Sequence, residues 1–116
     1  MPLISVIITT YNRERYIKEA IQSVLTSTFK DYELIISDNC STDRTVSIIK
    51  EFLLKDHRIK LYTNKENLGE YSNRILAASY ASGKYIKYLD ADDIIYPNSL
   101  SIFIDGMMAF PSAVLG

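Results

Sequence analysis

The sequence predicts an α/β fold: a Rossmann-like parallel sheet with helices packed on both faces. Three observations predict it. Short, β-rich apolar runs alternate with stretches whose apolar residues recur at helical spacing. The segments between successive runs are long enough for the crossovers that parallel strands need. The first run, Leu3 to Thr9, is almost continuously apolar and β-branched, as a strand buried on both faces reads. With 116 residues, 47% of them hydrophobic, the chain is long enough for one domain with a core.

The elements follow in order. After the first strand comes Thr10-Tyr11-Asn12, and Asn12 offers a helix cap. Ile17, Ala20, Ile21, Val24 and Leu25 then form one apolar helix face, up to about Thr26. Tyr32 to Ser37 reads as a second strand running into Asp38. Ser41, Thr42 and Asp43 offer caps for a second helix, Asp43 above all, and Val46, Ile49, Phe52 and Leu53 form its inward stripe. Ile59 to Thr63 is a third strand and Asn64 to Gly69 a loop. Glu70 to Ala81 is a third helix with a small packing side of Ala77, Ala78 and Ala81. Tyr85 to Leu89 is a fourth strand, bounded by Gly83 and by acids. Pro97 suits the first position of a fourth helix, over about 98–110, which Pro111 closes. Ala113-Val114-Leu115 reads as the opening of another strand.

Composition excludes some functions. A net charge of −1 does not support a nucleic-acid or anionic-membrane binder that relies on bulk charge. A single cysteine, Cys40, cannot form an internal disulfide, so a reducing, cytoplasmic setting is expected. The apolar N-terminus lacks a basic leader and a cleavage site, and no apolar run is long enough to span a membrane.

In a parallel sheet the carboxyl ends of the strands share one edge, and ligands bind there. Polar residues collect at those ends: Thr9, Thr10, Tyr11 and Asn12, then Asp38, Asn39 and Ser41, then Asn64 and Asn67, then Asp90, Asp92 and Asp93. Acids after a strand are often no more than solvated loop residues, but their regular return to this edge favours a site. Residues two apart in an extended chain point the same way, so Asp90 and Asp92 are expected to face one point and Asp93 to turn away. Two hard oxygen ligands suit Mg²⁺ or Mn²⁺. None of the 4 glycines follows the first strand, so neither the dinucleotide fingerprint nor the P-loop is present. A phosphate ligand would then take its counter-charge from a metal at Asp90 and Asp92. Asp38, at the end of the second strand, suits a base or ribose.

Ser5-Val6-Ile7-Ile8-Thr9-Thr10-Tyr11-Asn12, Ser37-Asp38-Asn39-Cys40-Ser41-Thr42-Asp43, Asn67-Leu68-Gly69 and Leu89-Asp90-Ala91-Asp92-Asp93 match, in order and spacing, the motifs of a known family. The chain resembles the family 2 glycosyltransferases, which have the GT-A fold, and the match covers almost its whole length. Each motif alone is weak; four in register are strong. The resemblance implies transfer of a sugar from a nucleotide-diphosphate donor, often a UDP-sugar, to a saccharide or lipid-linked acceptor, usually with inversion. It implies a divalent metal on the Asp-x-Asp motif, with Asp92 as ligand and Asp90 near the ribose or sugar. It also implies that Thr9, Tyr11 and Asn12 line the nucleoside pocket and that Asp38 bonds the base. Thr10 stands where members often carry proline. Many members show Ala-Arg-Asn where this chain has Asn73-Arg74-Ile75, so Arg74 keeps the basic residue that reaches the donor and the last asparagine is lost. Cys40 is read as a small apolar filler and His57 as solvated surface.

In the family, the general base and the acceptor site lie beyond the metal motif. Residues 1–116 are therefore expected to be the truncated, donor-binding part, with the base beyond residue 116. This part alone is expected to be inactive and to self-associate through the open edge of its fourth strand. The full-length protein is expected at the inner face of the membrane. Two other readings compete. A nucleotidyltransferase usually brings a glycine-rich basic loop after the first strand; Arg13 and Arg15 are there but the glycines are not. A non-catalytic nucleotide-sugar-binding module would keep the same acids.

Overall fold

The structure is a computed structural model, and it describes residues 2–109. Its elements are β1 (Ile4–Thr10), α1 (Ile17–Leu25), β2 (Tyr32–Asp38), α2 (Thr45–Leu53), β3 (Ile59–Thr63), α3 (Glu70–Ser79), β4 (Tyr85–Asp90) and α4 (Ser99–Ala109). The strands form one parallel sheet in the order β3-β2-β1-β4. Among the described residues no helix is long and apolar enough to cross a membrane.

β1 and β2 are buried at every position because helices cover both faces of the sheet. Ile4, Val6 and Ile8, with Leu34 and Ile36, face a large cluster. Ile17, Ile21 and Val24 of α1, Ile49 and Phe52 of α2, and Leu100 and Ile104 of α4 complete that cluster. Ile7 and Ile35 face the other way, onto Ala77 of α3. The small side of α3 lets it lie close to the sheet, and Tyr62 stacks on Tyr80 at the rim with centroids 3.8 Å apart. Each fully buried isoleucine contributes about 1.5–3 kcal/mol.

Register places the site. Thr10 lies opposite Asp38, Thr9 opposite Asp90, and Asp38 opposite Thr63, so the polar ends form one row. At the opposite end of the sheet, Glu33 is buried and ties several segments together. Its carboxylate accepts from Ser5 Oγ at 2.6 Å, Lys60 Nζ at 2.8 Å, Ser82 N at 2.7 Å and Ser82 Oγ at 2.8 Å. Burial alone would raise its pKa, but the hydrogen bonds from Lys60, Ser5 and Ser82 outweigh burial and hold it down to about 2. Gly83 is needed beside this cluster, since a Cβ there would lie 2.7 Å from Ser5 N and 2.8 Å from the Ile4 carbonyl carbon.

The helix starts differ from the sequence reading. Asn12 caps no helix; it takes a left-handed φ of +50°, which asparagine tolerates. α1 starts at Ile17 because residues 13–16 form a turn, in which Tyr16 N and Ile17 N donate to Arg13 O at 3.0 and 2.9 Å. α4 starts at Ser99, not Pro97: Ser99 Oγ accepts from Tyr96 N, while Pro97 O accepts from Thr28 N and Oγ1. Asp43 is not the N-cap of α2, a place that Arg44 takes with no side-chain cap bond; Asp43 lies one residue earlier and closes a turn into the helix, its Oδ1 accepting from Thr45 N at 2.9 Å. Cys40 is no apolar filler: it is half-buried at φ +67°, with Sγ 3.5 Å from Lys65 O. His57 is exposed. Pro111 and the strand read at Ala113-Val114-Leu115 lie outside the described residues.

Candidate functional site

A cavity of about 630 Å³ opens at the carboxyl edge of the sheet. The end of β1 supplies Thr9, Tyr11 and Arg13, and the end of β2 supplies Asn39. Asn67 and Gly69 come from the loop after β3, Glu70 and Arg74 from α3, and Asp90, Ala91 and Asp92 from the end of β4.

Buried amide side chains shape the wall. Asn39 uses its full hydrogen-bonding capacity. Its Nδ2 donates to Asn67 Oδ1 at 2.9 Å and to Gly69 O at 3.3 Å, and its Oδ1 accepts from Leu68 N at 2.8 Å and Asn64 Nδ2 at 3.1 Å. Asn73 is 1% exposed. It accepts from Ser37 Oγ at 2.7 Å and Asn64 Nδ2 at 2.9 Å, and donates to Ser37 O at 3.0 Å. These bonds seat the first turn of α3 against the ends of β2 and β3. Gly69, at φ +85°, makes the turn into that helix.

Two of the residues read as nucleotide contacts stand behind the wall. Asp38 is 1% exposed, and its carboxylate closes a tight turn, accepting from Ser41 N at 2.8 Å and Ser41 Oγ at 2.5 Å. Asn12 clamps the loop after β2: Thr42 N donates to its Oδ1 at 2.8 Å, and its own N–H donates to Ser41 Oγ at 2.9 Å. Thr10 Oγ1 is buried without a hydrogen-bond partner among the described residues, so an apolar residue suits that position.

Charge concentrates on the β4 side. Oxygens of Asp90, Asp92 and Asp93 lie within 4.8 Å of one another, and all three residues are exposed. Asp93 does not turn away. The strand ends at Asp90, and a turn closed by Asp93 N donating to Asp90 O at 3.0 Å brings Asp93 back to the pair. Three hard oxygens with solvent on one side fit a Mg²⁺ or Mn²⁺ ion that keeps positions for water and phosphate. Arg74 reaches this cluster, its Nη2 3.6 Å from Asp90 Oδ1 and 3.4 Å from Glu70 Oε1, with the guanidinium 5.4 Å from the Tyr88 ring centre. Glu70 Oε1 also accepts from Thr9 Oγ1 at 3.2 Å.

The structure thus brings Thr9, Tyr11, Arg74, Asp90 and Asp92 to one cavity and leaves Asn12 and Asp38 off its wall. The sequence reading placed Asn39 on the ligand edge without giving it a role, and missed Arg13 and Glu70 as wall residues and Asn73 as their support. Asn73 had a signal: it sits four residues before Ala77, on the buried face of α3. Glu70 had none, because an acid in a first helical turn is ordinary.

Fold and edge site together define an α/β protein of the GT-A type, with acids and a guanidinium on its ligand cavity. The chain belongs to glycosyl transferase family 2, which matches residues 5–116. It is 46% identical over 101 residues to an uncharacterized glycosyltransferase of Methanocaldococcus jannaschii, a match covering 85% of this chain and 35% of that protein. It is 42% identical over 106 residues to the Escherichia coli UDP-Glc:alpha-D-GlcNAc-diphosphoundecaprenol beta-1,3-glucosyltransferase WfgD, covering 91% of this chain and 41% of that protein. The crystal structure of S. aureus TarS 1-349 in complex with UDP-GlcNAc superposes with a TM-score of 0.86 at 30% identity, over 92% of this chain and 31% of that one. The chain thus spans well under half the length of each of these proteins.

Proposed function

We propose that this chain binds the donor of a sugar transfer, a nucleotide-diphosphate sugar of the UDP type. The observation that carries the reading is the meeting of Asp90, Asp92 and Arg74 on one cavity wall. A diphosphate needs positive charge, and a glycine-rich loop is not there to hold it. Arg74 supplies a guanidinium whose planar fork suits phosphate oxygens. Asp90, Asp92 and Asp93 would hold Mn²⁺ or Mg²⁺, which when bound supplies further positive charge to the leaving diphosphate. Thr9 and Tyr11 take the nucleoside side of the cavity. Asn12 and Asp38 act from behind, by keeping the loops after β1 and β2 in place.

The reaction is glycosyl transfer, inverting in stereochemistry. The acceptor oxygen bonds the anomeric carbon as that carbon's bond to the diphosphate oxygen breaks. The nucleoside diphosphate leaves with the electron pair, and the acceptor's hydroxyl proton passes to a general base. The acceptor is a lipid-linked saccharide, and the reaction runs at the cytoplasmic face of a membrane. The activity for which the E. coli relative is named and the nucleotide sugar bound in TarS support the choice of donor; the E. coli relative's activity supports the acceptor.

Thermal melting of the full-length protein with Mn²⁺ and a panel of UDP, GDP and dTDP tests the choice of nucleotide. UDP should raise the melting temperature most, and Asp92→Asn should remove most of that rise by taking a charge from the cation site. An equal rise with all three, or with none, would return the cavity to an unassigned state.

A further inference from the structure

Glu70 is the wall residue with the least obvious purpose. A carboxylate facing an anionic ligand works against binding unless it does something else. Its commonplace roles are local: an acid in the first turn favours the helix, and Glu70 with Arg74 is an i,i+4 pair in the better orientation. Two contacts go beyond the helix. Glu70 Oε1 accepts from Thr9 Oγ1 on β1, at 3.2 Å, and the Arg74 guanidinium it pairs with lies 3.6 Å from Asp90 on β4. Thr9 and Asp90 are register partners on neighbouring strands, so Glu70 and Arg74 bridge a fixed pair of strand ends. The guanidinium is shared between two carboxylates, at 3.4 and 3.6 Å, and committed to neither.

From this we infer that Glu70 is a positioning residue for Arg74: it draws the guanidinium off Asp90 and so leaves that carboxylate free for a cation. The inference rests on the donor-site reading above. Without the Glu70 charge, Arg74 pairs with Asp90 alone, and a cation must displace it. Thr9 anchors Glu70, so the arrangement is set by the sheet and does not depend on long side chains ordering by themselves.

The test is titration of UDP into the full-length protein over a series of Mn²⁺ concentrations, for wild type, Glu70→Gln, Arg74→Met and the double variant, with melting temperatures recorded alongside. Glu70→Gln should raise the half-saturating Mn²⁺ about threefold, the size expected of a partly exposed ion pair. In the Arg74→Met background the same change should leave the half-saturating Mn²⁺ unmoved, because the effect runs through Arg74. A purely helical role predicts a lower melting temperature with no change in Mn²⁺ dependence, and that result overturns the proposal. A shift of equal size in both backgrounds also overturns it, since Glu70 would then act by its own field. If wild type itself binds UDP without regard to Mn²⁺, the donor-site reading fails, and this proposal with it.

Discussion

Both carboxylate oxygens of Asp38 are engaged by Ser41, from N at 2.8 Å and from Oγ at 2.5 Å. An acid at a strand end can close a turn or accept from a ligand with the same lone pairs, so its position in the sequence does not separate the two. Burial and partners do. Removing a charged hydrogen-bond acceptor from such a site costs about 1.5–3 kcal/mol. Asp38→Ala is therefore expected to lower the unfolding free energy by that order in urea denaturation. A variant as stable as wild type would mean that the turn does not need the carboxylate and would restore Asp38 as a ligand contact. Asn12 poses the same ambiguity: helix capping and loop clamping use the same amide, and its φ of +50° assigns it to the clamp. Two-residue alternation led to the expectation that Asp90 and Asp92 meet, but the strand ends at Asp90, and both Asp92 and Asp93 come to it through a turn that alternation does not describe.

Elements were more legible than single residues. β1 and β2 read plainly because strands buried on both faces leave no polar alternation, and their placement follows from apolar content alone. Helix starts were less so, since capping chemistry is shared with turns, as at Asp43 and Ser99. Glu33 is the exception within β2: a buried acid inside an apolar strand, and the sequence reading gave it no role. It joins β1 through Ser5, β3 through Lys60 and the segment before β4 through Ser82. Its folded pKa of about 2 lies below the ordinary glutamate value of 4.5, so the unfolded chain binds the proton first on acidification. The stability it contributes is therefore complete above about pH 5 and is lost as pH falls toward 2, an effect of about 3 kcal/mol. The gap in unfolding free energy between wild type and Glu33→Gln should narrow across that window. A gap that stays constant from pH 5 to 2 would show that Glu33 is not held ionised by its partners.

Across the whole molecule, one cavity is assembled from four strand ends and one helix, and its chemistry is divided among them. The sheet order β3-β2-β1-β4 puts Thr9 and Asp90 side by side, although 80 positions separate them in sequence. Alternation of strands and helices was enough to locate that edge. That edge included Asn39, but its partners, and the places of Glu70 and Arg13 on the wall, were not readable, because they depend on side-chain reach between elements. The central claim is that this cavity binds a nucleoside diphosphate through Arg74 and a cation held by the Asp90 cluster. Calorimetric titration of UDP into the full-length protein, with Mn²⁺ and again with excess chelator, tests it most directly. The account predicts clear saturable binding with Mn²⁺ and a loss of most of the affinity with chelator. A UDP affinity that the chelator leaves unchanged would contradict it.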